Sequence, residues 1–468
     1  MEMITVGYIG IAVLLSLVVL GVPVAFATAF TGICGLAYIR NFTIAAGLSG
    51  IVPYSDSAHY SLSVLPLFIA IGFLAMHAGI TSAAYEAARV WVGRMPGGLA
   101  TATIFASAGF AAVSGASTAS TAVFTKLALP EMEMRGYNRS LAAGVVAVGG
   151  TLAALIPPSA ILVIYGIIVE ESISRLLIAG LVPGLISIIV YLVVITVVVT
   201  LRPNLAPKLE ATSVMAKIKT LPQLSGIVLV VGVILGGVYF GWMTPTESAA
   251  VATIIILVMA LFKKVRVREL TEGLLETLKT TAMIFMVIWG VMIFVRFLAF
   301  TGLPATVTEA VVNLDVHRSV ILFAIVVMYL LLGMILDGIG MMMLTLPVVY
   351  PAVVGLGYDP IWFGILLVKL IEIGVVTPPV GLNCYVVNGI RPDIPLHEVF
   401  KGVTPFLIGE VVIVGIIIAF PDLILYLPRL MGGYWPRPRI GRAIQFIFRR
   451  LNAAKKDENS GWPETKNR

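Results

Sequence analysis

Two Pro-Pro pairs sit inside apolar stretches of this sequence, each beside glycines and hydroxyl or amide side chains. The first reads Gly149-Gly150-Thr151…Ile156-Pro157-Pro158-Ser159, the second Gly374…Thr377-Pro378-Pro379-Val380-Gly381-Leu382-Asn383. Proline removes a backbone donor and clashes with the preceding turn, so two in succession near glycine interrupt a helix. The carbonyls this frees, with the oxygens of Thr151, Ser159, Thr377 and Asn383, make an oxygen-rich, weakly charged site. Such donors suit a hard cation, and Na⁺ is the expected one. One pair alone would also fit a plain kink; two at matching places favour a site.

Two fold-back tips accompany the breaks. The first, Ser114-Gly115-Ala116-Ser117-Thr118-Ala119-Ser120-Thr121, can present hydroxyls and amides to an ion and to an anionic substrate. Ser114, Gly115, Ser117 and Thr118 lead that expectation, with Pro158, Ser159 and Asn383 as partners from the breaks. The same run also suits close helix packing through small residues, and the residues alone leave both readings open. The second tip, Asp337-Gly338-Ile339-Gly340, carries an acid deep in apolar sequence, which marks either function or a pairing with a basic side chain. Lys369 and Glu372 lie three residues apart on one expected helix, and the spacing predicts an internal ion pair.

The elements that position these residues are membrane spans. Of 468 residues, 59% are apolar and 12% are charged, with a mean hydropathy of +1.04. A soluble domain carries about 25% charged residues, so this chain cannot cover a water-facing surface. A soluble enzyme, a disordered chain and a nucleic-acid binder are excluded. Apolar runs long enough to cross a bilayer fall at roughly 4–22, 23–39, 60–80, 138–168, 176–200, 221–241, 244–262, 280–303, 360–390 and 402–428. The runs at 97–134 and 318–356 fold back at the two tips, and 202–220 and 263–279 read as loops. Glu2 and the absence of Lys or Arg before the first run argue against a signal peptide, leaving two retained spans. Cys34 and Cys384 read as buried, unpaired thiols.

Basic residues orient the spans. Loops expected on one side hold sixteen Lys and Arg against three (Arg40, Arg175, Arg318) on the other. The richer side is cytoplasmic, and both termini fall outside. The basic tail after 428, with an expected amphipathic helix at 440–452, then runs against the same rule.

An internal repeat organises the whole. Gly136-Tyr137-Asn138 precedes Pro157-Pro158 by 21 residues, as Gly357-Tyr358-Asp359 precedes Pro378-Pro379. Leu127-x-Leu129-Pro130 matches Leu344-x-Leu346-Pro347, and Phe73-Leu74-Ala75 matches Phe297-Leu298-Ala299. Each half holds five spans and a fold-back, and an odd count inverts the second half, a pattern of secondary transporters. The expected fold class is an all-α polytopic membrane protein with an inverted repeat, two re-entrant helical hairpins and two broken helices. Residues 1–200 form the first repeat, 201–220 a cytoplasmic linker, 221–428 the second repeat and 429–468 an extramembrane tail. No G-x-x-x-x-G-K-[ST] loop, H-E-x-x-H or G-x-S-x-G elbow occurs, which removes direct ATP use and the common hydrolase chemistries.

These residues carry a resemblance. Leu65-Pro66-Leu67-Phe68, Ser114–Ser117, Leu127–Tyr137, Gly149–Ser159, Leu336-Asp337 with Leu344–Pro347, and Glu372–Asn383 together resemble the large membrane subunit (DctM type) of tripartite ATP-independent periplasmic (TRAP) transporters, over about 5–428. The resemblance implies a sodium-coupled elevator carrier of an organic acid in the inner membrane. It would be paired with a small membrane subunit and fed by a periplasmic binding protein. It also implies one sodium ion between the Ser114–Ser117 tip and the Gly149–Pro157 break. A second would lie between the Gly338 tip and the break at Gly374, Thr377 and Asn383. Asp337 and Glu372 stand beside these. Ala116 departs from a hydroxyl often found there. A stand-alone sodium/anion elevator symporter is the alternative within transport.

Overall fold

The structure, a computed structural model, describes residues 2–207, 213–334 and 336–431. The expected tail helix at 440–452 lies outside them. The chain begins with α1 (Met3–Val19), α2 (Val24–Ile39), α3 (Phe42–Ser57), α4 (Val64–His77) and α5 (Ile80–Val92). A helical hairpin follows, α6 (Gly98–Ser114) and α7 (Ser117–Met134), then two short pieces, α8 (Arg139–Thr151) and α9 (Ala160–Ile168), and the long α10 (Ile173–Leu201). After these come α11 (Val214–Tyr239), α12 (Pro245–Phe262), α13 (Val267–Thr301) and α14 (Leu303–Val312). A second hairpin, α15 (Arg318–Gly333) and α16 (Gly338–Gly355), precedes a second pair of pieces, α17 (Pro360–Gly374) and α18 (Leu382–Ile390), and α19 (Leu396–Ala419). Residues through Pro428 form one compact unit.

Local chemistry explains these boundaries. Gly136 and Gly357, both at positive φ, end the two hairpins, where a residue with a Cβ would be strained. Two residues later Asn138 and Asp359 cap the next helix, accepting from Leu141 N and from Ile361 and Trp362 N. The Gly-Tyr-Asn and Gly-Tyr-Asp triplets are therefore a stop signal joined to a start signal. Ser159 restarts the first interrupted span by accepting from Leu162 N at 3.2 Å, and Asp337 starts α16 by accepting from Gly340 N at 2.9 Å. The Pro157–Pro158 and Pro378–Pro379 peptide bonds are both cis.

Among the described residues, seven helices are long and apolar enough to cross a membrane, including α10, α11, α12, α13 and α19. On α10, Leu185, Ile189, Val193 and Val197 recur every four residues and stay about half exposed. An outward stripe of that kind is stable only in hydrocarbon. Inside, helices meet backbone to backbone. A Cβ added at Gly144 of α8 would collide with the Gly402 backbone of α19, and one at Gly32 of α2 would approach Phe294 N of α13.

Three expectations are corrected. The stretch 263–279 is mostly helix, because α13 begins at Val267 and carries an Arg268–Glu272 pair at 2.9 Å along its polar first turns. The stretch 202–220 likewise ends in helix, since Ser213 caps α11 by accepting from Ala216 N. Loops and polar helix ends share a composition, so charge alone marked the wrong boundary. Cys384 is buried, but Cys34 is exposed.

Candidate functional site

A cavity of about 320 Å³ lies where both hairpin turns and both interrupted spans meet. The first residues of four helices line it: Ser117 and Thr118 of α7, Ala160 and Ile161 of α9, Gly338 and Ile339 of α16, and Leu382 of α18. A helix start carries N–H groups without helical partners and roughly half a positive charge; here Ser159, Asp337 and the Val375 carbonyl take up Leu162, Gly340 and Asn383 N, and the first N–H groups of the starts remain. Four of them on one cavity make a place for an anion without a basic side chain. Asp337 and Glu372 are the acids in the lining.

The expected residues assemble in part. Gly115, at φ +60, turns so tightly beside the first break that a Cβ there would strike the Pro158 carbonyl. Gly150 lies against the Ser117 carbonyl, and Gly149 against Ser107 Oγ. On the other side Gly374 packs on the Gly333 backbone and Gly338 on Ile371. Each turn thus meets the break of its own half. Asn383 also crosses between halves, donating through Nδ2 to Ser117 Oγ at 3.2 Å and to the Ala147 carbonyl at 3.1 Å. Ser117 in turn donates to Glu372 Oε2 at 2.7 Å. Around this node Ser114 Oγ, Glu372 Oε1 and Asn383 Oδ1 are buried without a hydrogen-bond partner. Buried oxygens are rarely left so, and these three fit a hard cation by their chemistry.

Other expected donors are engaged locally. Ser159 Oγ donates to the Ala154 carbonyl at 2.5 Å besides capping α9. Thr377 Oγ1 donates to the Ile373 carbonyl at 2.5 Å, which uses its hydrogen and leaves its lone pairs. Thr151 Oγ1 donates to the Val148 carbonyl at 2.7 Å and lies 3.0 Å from the Tyr191 hydroxyl.

That last contact leads to a network the sequence reading missed. Tyr191 of α10 donates to Glu410 of α19, and Glu410 pairs with Lys369 of α17 at 2.6 Å. Lys369 Nζ also donates to Ser187 Oγ at 3.3 Å. The expected Lys369–Glu372 pair does not form. Lys369 reaches a neighbouring helix, and Glu372 faces the cavity and Ser117 instead. Glu410 was legible as an acid within a 24-residue apolar helix, by the reasoning applied to Asp337.

At one end of the molecule, Arg391 bonds Glu133 of α7 at 2.8 Å and Asp393 at 2.7 Å. This guanidinium holds the Asp393 carboxyl down at about 2, so the pair stays ionised at neutral pH. The contact ties the first hairpin to the segment after the second break. A second cavity of about 510 Å³, lined by His59, Glu170, Glu171 and Arg296, lies among the stretch before α4, the end of α9 and the second half of α13. Two helices, α9 and α13, therefore border both cavities at different levels.

Fold and site together define a polytopic all-helical membrane protein of the kind that carries solutes. The solved structure of the Alcanivorax borkumensis YdaH transporter shares the fold, with a TM-score of 0.56 at 14% identity over 85% of this chain and 90% of that one. Residues 11–423 match the family model described as "Tripartite ATP-independent periplasmic transporter, DctM component". The C4-dicarboxylate TRAP transporter large permease protein DctM of Pseudomonas aeruginosa is 33% identical over 397 residues, covering 81% of this chain and 88% of that protein. The sialic acid TRAP transporter large permease protein SiaM of Vibrio cholerae is 30% identical, covering 90% and 98%. The chain belongs to the DctM family of TRAP large permease components.

Proposed function

We propose that this chain is the permease subunit of a sodium-coupled TRAP transporter that imports an organic acid across the inner membrane by an elevator mechanism. The observation that carries the reading is the convergence of four helix N-termini on one cavity at both hairpin turns. Backbone N–H groups of α7, α9, α16 and α18 hold a substrate carboxylate there. The Ser114–Ser117 turn with Gly149, Thr151 and Pro157, and the Gly338 turn with Gly374, Thr377 and Asn383, supply oxygens for sodium. Bound sodium would be coordinated by those oxygens and couple its own gradient to uptake.

The parallel series of hairpin, interrupted span and long helix supports an inverted repeat over 1–200 and 221–428. The hairpins and interrupted spans form the moving body, and α1, α2, α11 and α12 belong to the scaffold. Cavities at two levels along α9 and α13 support alternate access from the two sides. A small membrane subunit and a periplasmic binding protein complete the assembly, and both termini face the periplasm. The role is transport, not catalysis.

The test is uptake against Na⁺ concentration in liposomes containing the assembled transporter. Uptake is expected to proceed without ATP and to stop when the sodium gradient is collapsed; persistence on a proton gradient alone would overturn the sodium assignment. Thr377→Val removes lone pairs held toward the break and is expected to weaken apparent Na⁺ affinity roughly ten-fold, about 1–3 kcal/mol for a lost polar partner. A Thr377→Val curve that superimposes on wild type removes Thr377 from the ion site.

A further inference from the structure

The cavity has two unlike walls. Every helix start, both acids and the hydroxyls of Ser114, Ser117 and Thr118 belong to the hairpin and interrupted-span side. The rest of the lining, from α4 and α13, forms a wall of Phe68, Ile69, Phe73, Met76, Met283 and Ile284, with Thr280 as its one polar side chain. Among the described residues no Lys, Arg or His lines the cavity. Two basic groups on the helices that line it are engaged elsewhere, Lys369 with Glu410 and His77 with Glu276 at 3.2 Å.

We propose that the acid this site carries is a monocarboxylate whose remainder is a branched or aromatic hydrocarbon group. The inference rests on the organic-acid reading above and narrows it. One carboxylate is met by the convergent N–H groups. A second would lie against the apolar wall with no cation to pair it. A polyhydroxylated acid fares little better, because Thr280 alone could answer its hydroxyls on that side, and unmatched polar groups discriminate strongly. A hydrocarbon group instead gains contact with two phenyl rings and with methionines that adapt to its shape.

The experiment uses the purified full-length chain in nanodiscs. The probes are 4-methylpentanoate, 3-phenylpropanoate, succinate and N-acetylneuraminate, each titrated in NaCl and in KCl, with the rise in melting temperature giving an apparent Kd. In NaCl the two apolar acids are expected to bind at least about ten-fold tighter than succinate or N-acetylneuraminate. Thr280→Lys puts a cation on the apolar wall and is expected to narrow or invert the ratio for succinate. Met283→Lys, at a more exposed position of the same wall, is the second variant should Thr280→Lys fail to fold. Equal or tighter binding of succinate or N-acetylneuraminate overturns this inference while leaving the organic-acid reading intact. A ratio unchanged in the folded lysine variants overturns the role given to the wall. Absence of sodium-dependent binding for all four acids rejects the organic-acid reading, and this inference with it.

Discussion

Lys369 and Glu410 form a pair withdrawn from solvent, with side chains 1% and 0% exposed. Such a pair adds little net stability over apolar residues of the same size, yet losing one partner strands the other. Ser187, Tyr191 and Thr151 surround it, so the pair also connects the first break to the helix that carries Glu372. Lys369→Met is expected to destabilise the chain by about 3–5 kcal/mol, because Glu410 is left buried without its cation, with only Tyr191 donating to it. The double variant Lys369→Met/Glu410→Met is expected to recover most of that loss. Melting temperature in detergent measures both, and a single variant that melts with wild type would show that the pair is not ionic. The sequence located Lys369 but not its partner. An i, i+3 spacing states which residues can touch on one helix and nothing about the helix packed alongside.

At the scale of elements, glycine decides where helices may touch. A Cβ at Gly402 of α19 would fall on the Ser140 carbonyl of α8, whereas Gly415 of the same helix has no atom near enough to be met. Gly402→Ala must therefore push α19 away from α8, at a cost of about 1–3 kcal/mol for forced overpacking. Gly415→Ala is the matched control and is expected to be neutral or slightly stabilising, since alanine is the better helix former. Thermal unfolding of both variants separates packing from propensity, and equal melting temperatures would refute the close contact. Hairpins and interruptions at this scale were readable, because Pro-Pro pairs and Gly-Tyr-Asn or Gly-Tyr-Asp triplets act within a few residues. The starts of α11 and α13 were not, because a polar helix end and a loop are written with the same residues.

For the molecule as a whole, the described body contains a cavity and the helices around it. On the reading proposed above, the substrate arrives on a separate soluble protein and a small membrane subunit supports the scaffold. The full-length chain alone in liposomes is expected to show no sodium-driven uptake, with uptake appearing once both partners are supplied. Uptake by the chain alone would reject the tripartite reading and favour a stand-alone symporter. Arg391 bridges Glu133 of the first hairpin to Asp393 in the segment after the second break, tying those two elements together.

What the sequence alone determined was whatever acts locally or through composition. Scarce charge and long apolar runs specify a membrane-spanning chain, since bilayer thickness sets span length. Consecutive prolines specify interruptions whatever surrounds them. Repeated spacing pairs the two hairpins with the two breaks. Only tertiary packing decided which oxygens remain free. Ser159 and Thr151 were equivalent candidates in the sequence, yet one is spent capping α9 and the other faces Tyr191. Ser117, Glu372 and Asn383, from three separate elements, instead converge on one node. The physical reason is reach. A hydrogen bond needs its partner within about 3 Å, and sequence separation says nothing about such distances once helices from different parts of the chain pack together.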